Sequence, residues 1–475
     1  FINRLKIEIS KVYRILKKCS KTELNRFQQF LESPYFNKRE DLIILYQQLV
    51  TTRSKAIDAV QLYQKVAPKK IYKAQDLRLL LSYLYKHLEC FLVCENFLKQ
   101  EESFSNRLHE IEIFQQKKLS QYAQKNLQYA QKKLEKSNRR NADFFWERYQ
   151  LLEKGFEFSS VQNPSGEHEF QKIAEALDVT FIAMKLRQSC QSLSHQTIYK
   201  YSFQDQLMVY LITYIEQHKL YQIPAIGIYY YIYLSLTNHE NSIHFGQLQN
   251  RFYWYADQFP DKELRDIHLM LVNHCIKQIN KGDFSFRYTL LNLYQHGLKN
   301  GYIIEKGMLS RFTYTNIVKI GIRCGELEWV QQFVEDFKEN LEKQYRESTY
   351  HINLASIAYA TKEYDQALFY LQRYNFKNVI LNLTAKVLQM KIFYELEERE
   401  VLESHLKAME TFIRRKEVLG YHRENYSNIL KFTNQLNTIN IYDADALREL
   451  QSKIERAVVL TEKNWLLEQI EVLLR

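Results

Sequence analysis

The sequence predicts an all-α protein, an α-solenoid of degenerate helical hairpins preceded by an N-terminal helical region, on three observations. Glycine and proline are scarce, 11 and 5 in 475 residues, and no glycine precedes Gly155. β-Hairpins and phosphate-binding loops both need glycine where φ is positive, so their scarcity favours helix. Leu, Lys, Gln and Glu, all strong helix formers, fill the chain, and 46% hydrophobic residues suffice for a large core. Finally, hairpin-like patterns recur towards the C-terminus at near-regular spacing. The length fits two or three ordinary domains or one extended superhelix.

The first stretch, "FINRLKIEISKVYRILKKCS", reads as an amphipathic helix carrying charges throughout, unlike the apolar core of a signal peptide. "SKTELNRFQQFLES" follows with a capping box, Ser20 and Glu23, ahead of an apolar stripe of Leu24, Phe27, Phe30 and Leu31. "SPYFNKRE" breaks that helix at Pro34, and "DLIILYQQLV" starts the next. A strongly apolar helix runs from Ala74 to Phe97. Residues 121–134 spell "QYAQKNL" and then "QYAQKKL", a duplicated heptad that lines Ala123, Leu127, Ala130 and Leu134 on one face. Two heptads are too few for an autonomous coiled coil, so that face packs within the chain.

A boundary falls near 137–142 or in the loop-like 159–169, giving a basic helical region over 1–140, weak hairpins over 141–300, and repeats with a capping helix over 301–475. Residues 1–140 hold 28 Lys/Arg against 14 Asp/Glu. Two readings account for that excess: an acidic partner, or a solvated lysine-rich surface. Between Lys219 and Glu240 no charged residue occurs, but Gln222, Pro224, Gly227 and the tyrosines suit a buried helix beginning at Pro224 and no membrane span. Six scattered cysteines fit a reducing cytoplasm and make no disulfide framework.

The repeats are read outward from "AYATKEYDQALFYL", Ala358 to Leu371: small residues, a polar corner at Lys362–Glu363, then Tyr364 and Ala367. Downstream, Phe393, Tyr394, the Glu397–Glu398 corner and Leu402 repeat the plan; upstream, Gly321, the Gly325–Glu326 corner and Val330 do so, and a similar pattern surrounds Gly282. Positions 330, 367 and 402 are equivalent, 37 and 35 residues apart. On Leu354, Ala355, Tyr364, Ala367 and Leu371 the unit resembles the tetratricopeptide repeat, over about 310–415 and more weakly over 225–300. Ala358 replaces its usual aromatic, Tyr374 its usual alanine, and no proline closes the unit. The whole chain is similar to large helical-repeat proteins of Bacteroidetes-type bacteria, in which a "SPYFN" segment precedes degenerate repeats; that likeness implies a bacterial protein and says nothing of an activity. The repeat resemblance implies a stack of hairpins whose first helices form a groove for a peptide or helix, with "TEKNWLLEQIEVLLR" capping the stack or seated in it.

Motifs for chemistry are thin. "HENSIH" (239–244) has one residue too many for a zinc-protease helix, so His239 and His244 cannot share a face. His87, Cys90 and Cys94 do share a helical face, among core-type leucines. "RESTYH" (346–351) resembles the Arg-x4-His pair of all-α HEPN ribonucleases, with Glu347 where those enzymes favour Asn, Asp or His, at a junction between repeats. No cofactor or metal site is expected. The expected function is a cytoplasmic, non-catalytic scaffold holding a protein or peptide, with Lys319 and Arg323 on the groove. The alternative is a nucleic-acid-associated factor whose Lys69, Lys70, Lys132 and Lys133 track phosphates.

Overall fold

Helix-forming composition is realised in the computed structural model, where 80% of the described residues are helical. It describes residues 7, 10–51, 57–99, 103–162, 170–199, 204–238, 242–373, 378–415 and 421–475. His239 and Tyr374 of the motifs above lie outside them. The chain divides into two compact units, one of Phe1–Ser137 and Phe144–Leu177, the other of Asn138–Asp143 and Asp178–Arg475.

The first unit contains α1 (Lys11–Leu16), α2 (Lys21–Glu32), α3 (Glu40–Thr51), α4 (Ala59–Val66), α5 (Ala74–Lys99), α6 (Phe104–Gln116), α7 (Ser120–Lys136) and nearly all of α8 (Ala142–Gln162). The capping box forms as read: the Glu23 N–H donates to Ser20 Oγ and the Ser20 N–H to Glu23 Oε2. The "SPYFN" break is organised by buried Asn37, whose Nδ2 donates to the Leu31 and Arg39 carbonyls while its Oδ1 accepts from the Arg39 N–H. Phe27, Leu31, Leu45, Leu77 and Leu84 share one core. Ala123, Leu127, Ala130 and Leu134 are all buried, and α7 packs along α6.

The second unit begins within α9 (Phe170–Tyr199) and continues through α10 (Gln206–Gln217), α11 (Pro224–Thr237), α12 (Ser242–Trp254), α13 (Asp261–Asn280) and α14 (Phe286–Lys299). The uncharged stretch forms α11, with Pro224 in its first turn and Ile226, Ile228, Tyr229 and Ile232 buried. Among the described residues no helix is long and apolar enough to cross a membrane. One departure from pure helix is a two-residue antiparallel ribbon, β1 (Ile304–Glu305) with β2 (Met308–Leu309). Its corner, Lys306–Gly307, has positive φ at both residues, the geometry of a tight hairpin, and the scarcity of glycine elsewhere did not forbid it. A buried polar knot ties the start of this unit together: Glu263 accepts from Asn141 Nδ2 at 2.8 Å and from the Tyr229 hydroxyl at 2.8 Å.

The remaining helices are α15 (Arg311–Arg323), α16 (Leu327–Asp336), α17 (Arg346–Ala360), α18 (Tyr364–Arg373), α19 (Val379–Glu395), α20 (Arg399–Arg415), α21 (Tyr421–Thr438), α22 (Ala444–Arg456) and α23 (Lys463–Leu474). Each first helix packs on its own second helix and on the next first helix: α15 on α16 and α17, α17 on α18 and α19, α19 on α20. The same backbone corner joins these pairs. Gly282, Gly325, Lys362 and Glu397 all take left-handed φ, and the next residue's N–H donates to the carbonyl five residues back, at Gln278, Gly321, Ala358 and Phe393. This is the helix-terminating motif that satisfies the last free carbonyls. Val330, Ala367 and Leu402, the equivalent positions, are buried. At Gly321 the two helices come so close that a Cβ would collide with Val330 Cγ2.

Two consequences are measurable by thermal and denaturant unfolding. Gly321→Ala should cost ~1–3 kcal/mol by overpacking. Combined with Val330→Ala it should cost less than the two singles together, by ~0.5–3 kcal/mol; strict additivity would refute the close approach. Lys362→Gly, in contrast, should stabilise by about 0.5–1 kcal/mol, because relief of left-handed strain exceeds the added chain entropy. A lower melting temperature for that variant would contradict the corner geometry.

Candidate functional site

The repeat phase carries more than the buried anchors. Eleven residues before 330, 367 and 402 stand Lys319, Ser356 and Lys391, and four residues further on stand Arg323, Ala360 and Glu395. The first five of these line one cleft of about 260 Å³, walled by α15, α17, α19 and α21. Its remaining side comes from Thr461 and Glu462, immediately before α23. Periodicity thus brings cations from α15 and α19 onto one wall, with Ser356 and Ala360 of α17 at the same phases between them.

Lys391 is buried, and its Nζ donates to Glu462 Oε2 at 2.9 Å. Its ammonium also lies over the rings of Tyr359, 4.6 Å from the centroid, and Trp465, 5.6 Å. Glu462 adopts a left-handed backbone, φ 54°, at the start of α23. Desolvation in the cleft works to raise its carboxyl, but Lys391, Lys319 and Arg323 outweigh it and hold the group below the ordinary carboxylate value. Lys319 and Arg323 reach water, yet protein surrounds the Lys319 ammonium; desolvation lowers it, Glu462 opposes that, and Arg323 and Lys391 add to it.

One turn beyond Lys391, Glu395 gathers three donors. It accepts from the Tyr359 hydroxyl, from the Tyr364 hydroxyl at 2.6 Å and from Trp465 Nε1 at 2.7 Å. Burial first, then the Glu395 bond and charge, push Tyr364 up to about 12 and Tyr359 further. Trp465, Leu466 and Ile470 of α23 are buried in a core shared with α19 to α22. The C-terminal segment thus contributes α23 to that core and Glu462 to the lining of the cleft.

Lys319 and Arg323 line the same cleft; Lys391, Glu462, Tyr359, Glu395 and Trp465 are not among the groove residues read from the sequence. Lys391 was accessible through the phase of Lys319. Lys69 and Lys70 are exposed in the turn after α4, and Lys132 and Lys133 are exposed on α7. His87 places its two ring nitrogens against the Tyr83 and Phe36 carbonyls, pinning the "SPYFN" loop to α5. Arg346 stands where the connection from α16 meets α17: it opens α17, and its guanidinium holds the Glu339 and Leu341 carbonyls and the Glu339 carboxylate. His351, five residues on and turned to another side of the helix from Arg346, faces Glu347 one turn before it, at 3.6 Å.

No family model, no curated protein and no solved structure matches the chain.

Glu462→Gln should lower stability at pH 7 by about 1–2 kcal/mol; the buried-pair cost is reduced here because the Glu462 side chain is 35% exposed. The folded carboxyl value is depressed, so the contribution is present above the ordinary value of 4.5 and disappears as pH falls through the folded one. The gap between wild type and variant in thermal melts should therefore be full at pH 7 and close in acid. A gap independent of pH would exclude the ion pair as its source.

Proposed function

We propose that the protein is a non-catalytic scaffold: an α-solenoid of degenerate tetratricopeptide-like hairpins that holds another protein or a peptide along its first helices. The observation that carries this reading is the recurrence of Lys319, Ser356 and Lys391 at one repeat phase on one cleft wall. Such a wall is what stacked hairpins present to a partner, since each hairpin buries its apolar faces only against its neighbours. The seating of Glu462 in the same cleft supports it further, because it shows a non-helical segment of chain accommodated there.

The test is affinity purification of the tagged chain from its native cell, with and without nuclease, followed by hydrogen exchange on the recovered complex. The expected partner is a protein that survives nuclease and protects amides of α15, α17 and α19. Lys319→Glu with Arg323→Glu should release it, whereas charge reversal at Lys69, Lys70, Lys132 and Lys133 should not. Recovery that depends on nucleic acid and is lost with those four lysines would replace the scaffold by phosphate binding through the basic first unit.

A further inference from the structure

Three cations face one carboxylate in the cleft. Lys391 is committed to Glu462 at 2.9 Å, while Lys319 and Arg323 reach into the same space with neither a hydrogen bond nor a close ion pair among the described residues. The cavity they border, about 260 Å³, has room for a second acidic side chain beside Glu462. We infer that this cavity is a recognition subsite for a carboxylate of an acidic peptide partner, which docks between Lys319 and Arg323 with the Lys391–Glu462 pair as its floor.

The inference rests on the groove reading above and names the chemistry of its occupant. Charge complementarity is the first argument: with Glu462 in place, two positive charges remain unmatched within the cleft, and matching them fixes the sign and register of a partner. The second argument is Glu462 itself, a carboxylate from an irregular segment that the cleft already accepts, ionised and hydrogen-bonded to a lysine. The third concerns the kind of anion. Lys319 and Arg323 lie in the last two turns of α15, and Lys391 in the last turns of α19, where the helix ends present carbonyls and a negative dipole. The α15 and α19 walls thus end in carbonyls while α23 begins beside the cleft, so the phosphate competitor in the test is what separates a carboxylate from a dianion.

The test is fluorescence anisotropy on the full chain with a labelled peptide of alternating glutamate and alanine, its glutamine counterpart, and inorganic phosphate as competitor. The glutamate peptide should bind about tenfold more tightly than the glutamine peptide. Lys319→Gln with Arg323→Gln should erase that difference, Lys69→Glu with Lys70→Glu should leave it, and Glu462→Gln should tighten glutamate-peptide binding by removing a like charge. Circular dichroism verifies that each variant is folded. Equal binding of both peptides, binding of neither, or displacement by phosphate at concentrations where acetate is inert would each overturn the inference. The groove reading would then stand or fall separately, on whether the native partner protects α15, α17 and α19.

Discussion

The left-handed corner that ends each first helix is the constraint from which the rest of the second unit follows. An α-helix leaves its last carbonyls without partners, and here a residue with positive φ turns the chain so that the following N–H satisfies one of them. The corner sets where the second helix starts relative to the first, and so which residues meet across the hairpin. Gly321 against Val330 and Ala358 beside Ala367 in one core are products of that geometry. Because the corner recurs at 325, 362 and 397, residues at a given offset from it fall on the same wall in successive hairpins. Lys319, Ser356 and Lys391 share the cleft for this reason, with no need for any direct contact among them.

On that regular base the C-terminal segment adds an irregular element. Glu462 takes a backbone conformation that costs an L-residue about 1–2 kcal/mol. A glycine at this position would avoid the strain, but only a carboxylate there neutralises the buried Lys391 ammonium. Trp465 supplies the apolar part of the same attachment, burying its ring while its indole N–H reaches Glu395. The strained residue is thus flanked by an ion pair to Lys391 and an aromatic anchored to Glu395, both partners being residues of α19.

The class of fold was legible in the sequence because composition and periodicity are local. The duplicated heptad, the capping box at Ser20 and the buried helix after Pro224 needed no tertiary information. The β1–β2 ribbon escaped because one glycine at the right place, Gly307, is enough for a hairpin corner, whatever the overall content. Within the site, Lys319 and Arg323 were readable as exposed residues of a first helix, and Lys391 follows from the same phase. Glu462 does not. Its pairing with Lys391 spans 71 residues of sequence and joins a repeating element to a non-repeating one, so no period points to it.

The direction in which the site's groups are shifted bears on what the cleft does. Proton-transfer sites move an acid and a base towards the operating pH. Here burial and the Glu395 carboxylate drive Tyr359 and Tyr364 away from neutrality, and the surrounding cations drive the Glu462 carboxyl away from it on the acid side. Each keeps one protonation state throughout the neutral range. Only Lys319 moves towards neutrality, and the nearby Glu462 charge opposes that movement. Groups held in fixed protonation states make a steady electrostatic pattern. On the proposed reading such a pattern would serve recognition of a charged partner, with Lys319 and Arg323, which the chain's own carboxylate leaves over, as the discriminating charges.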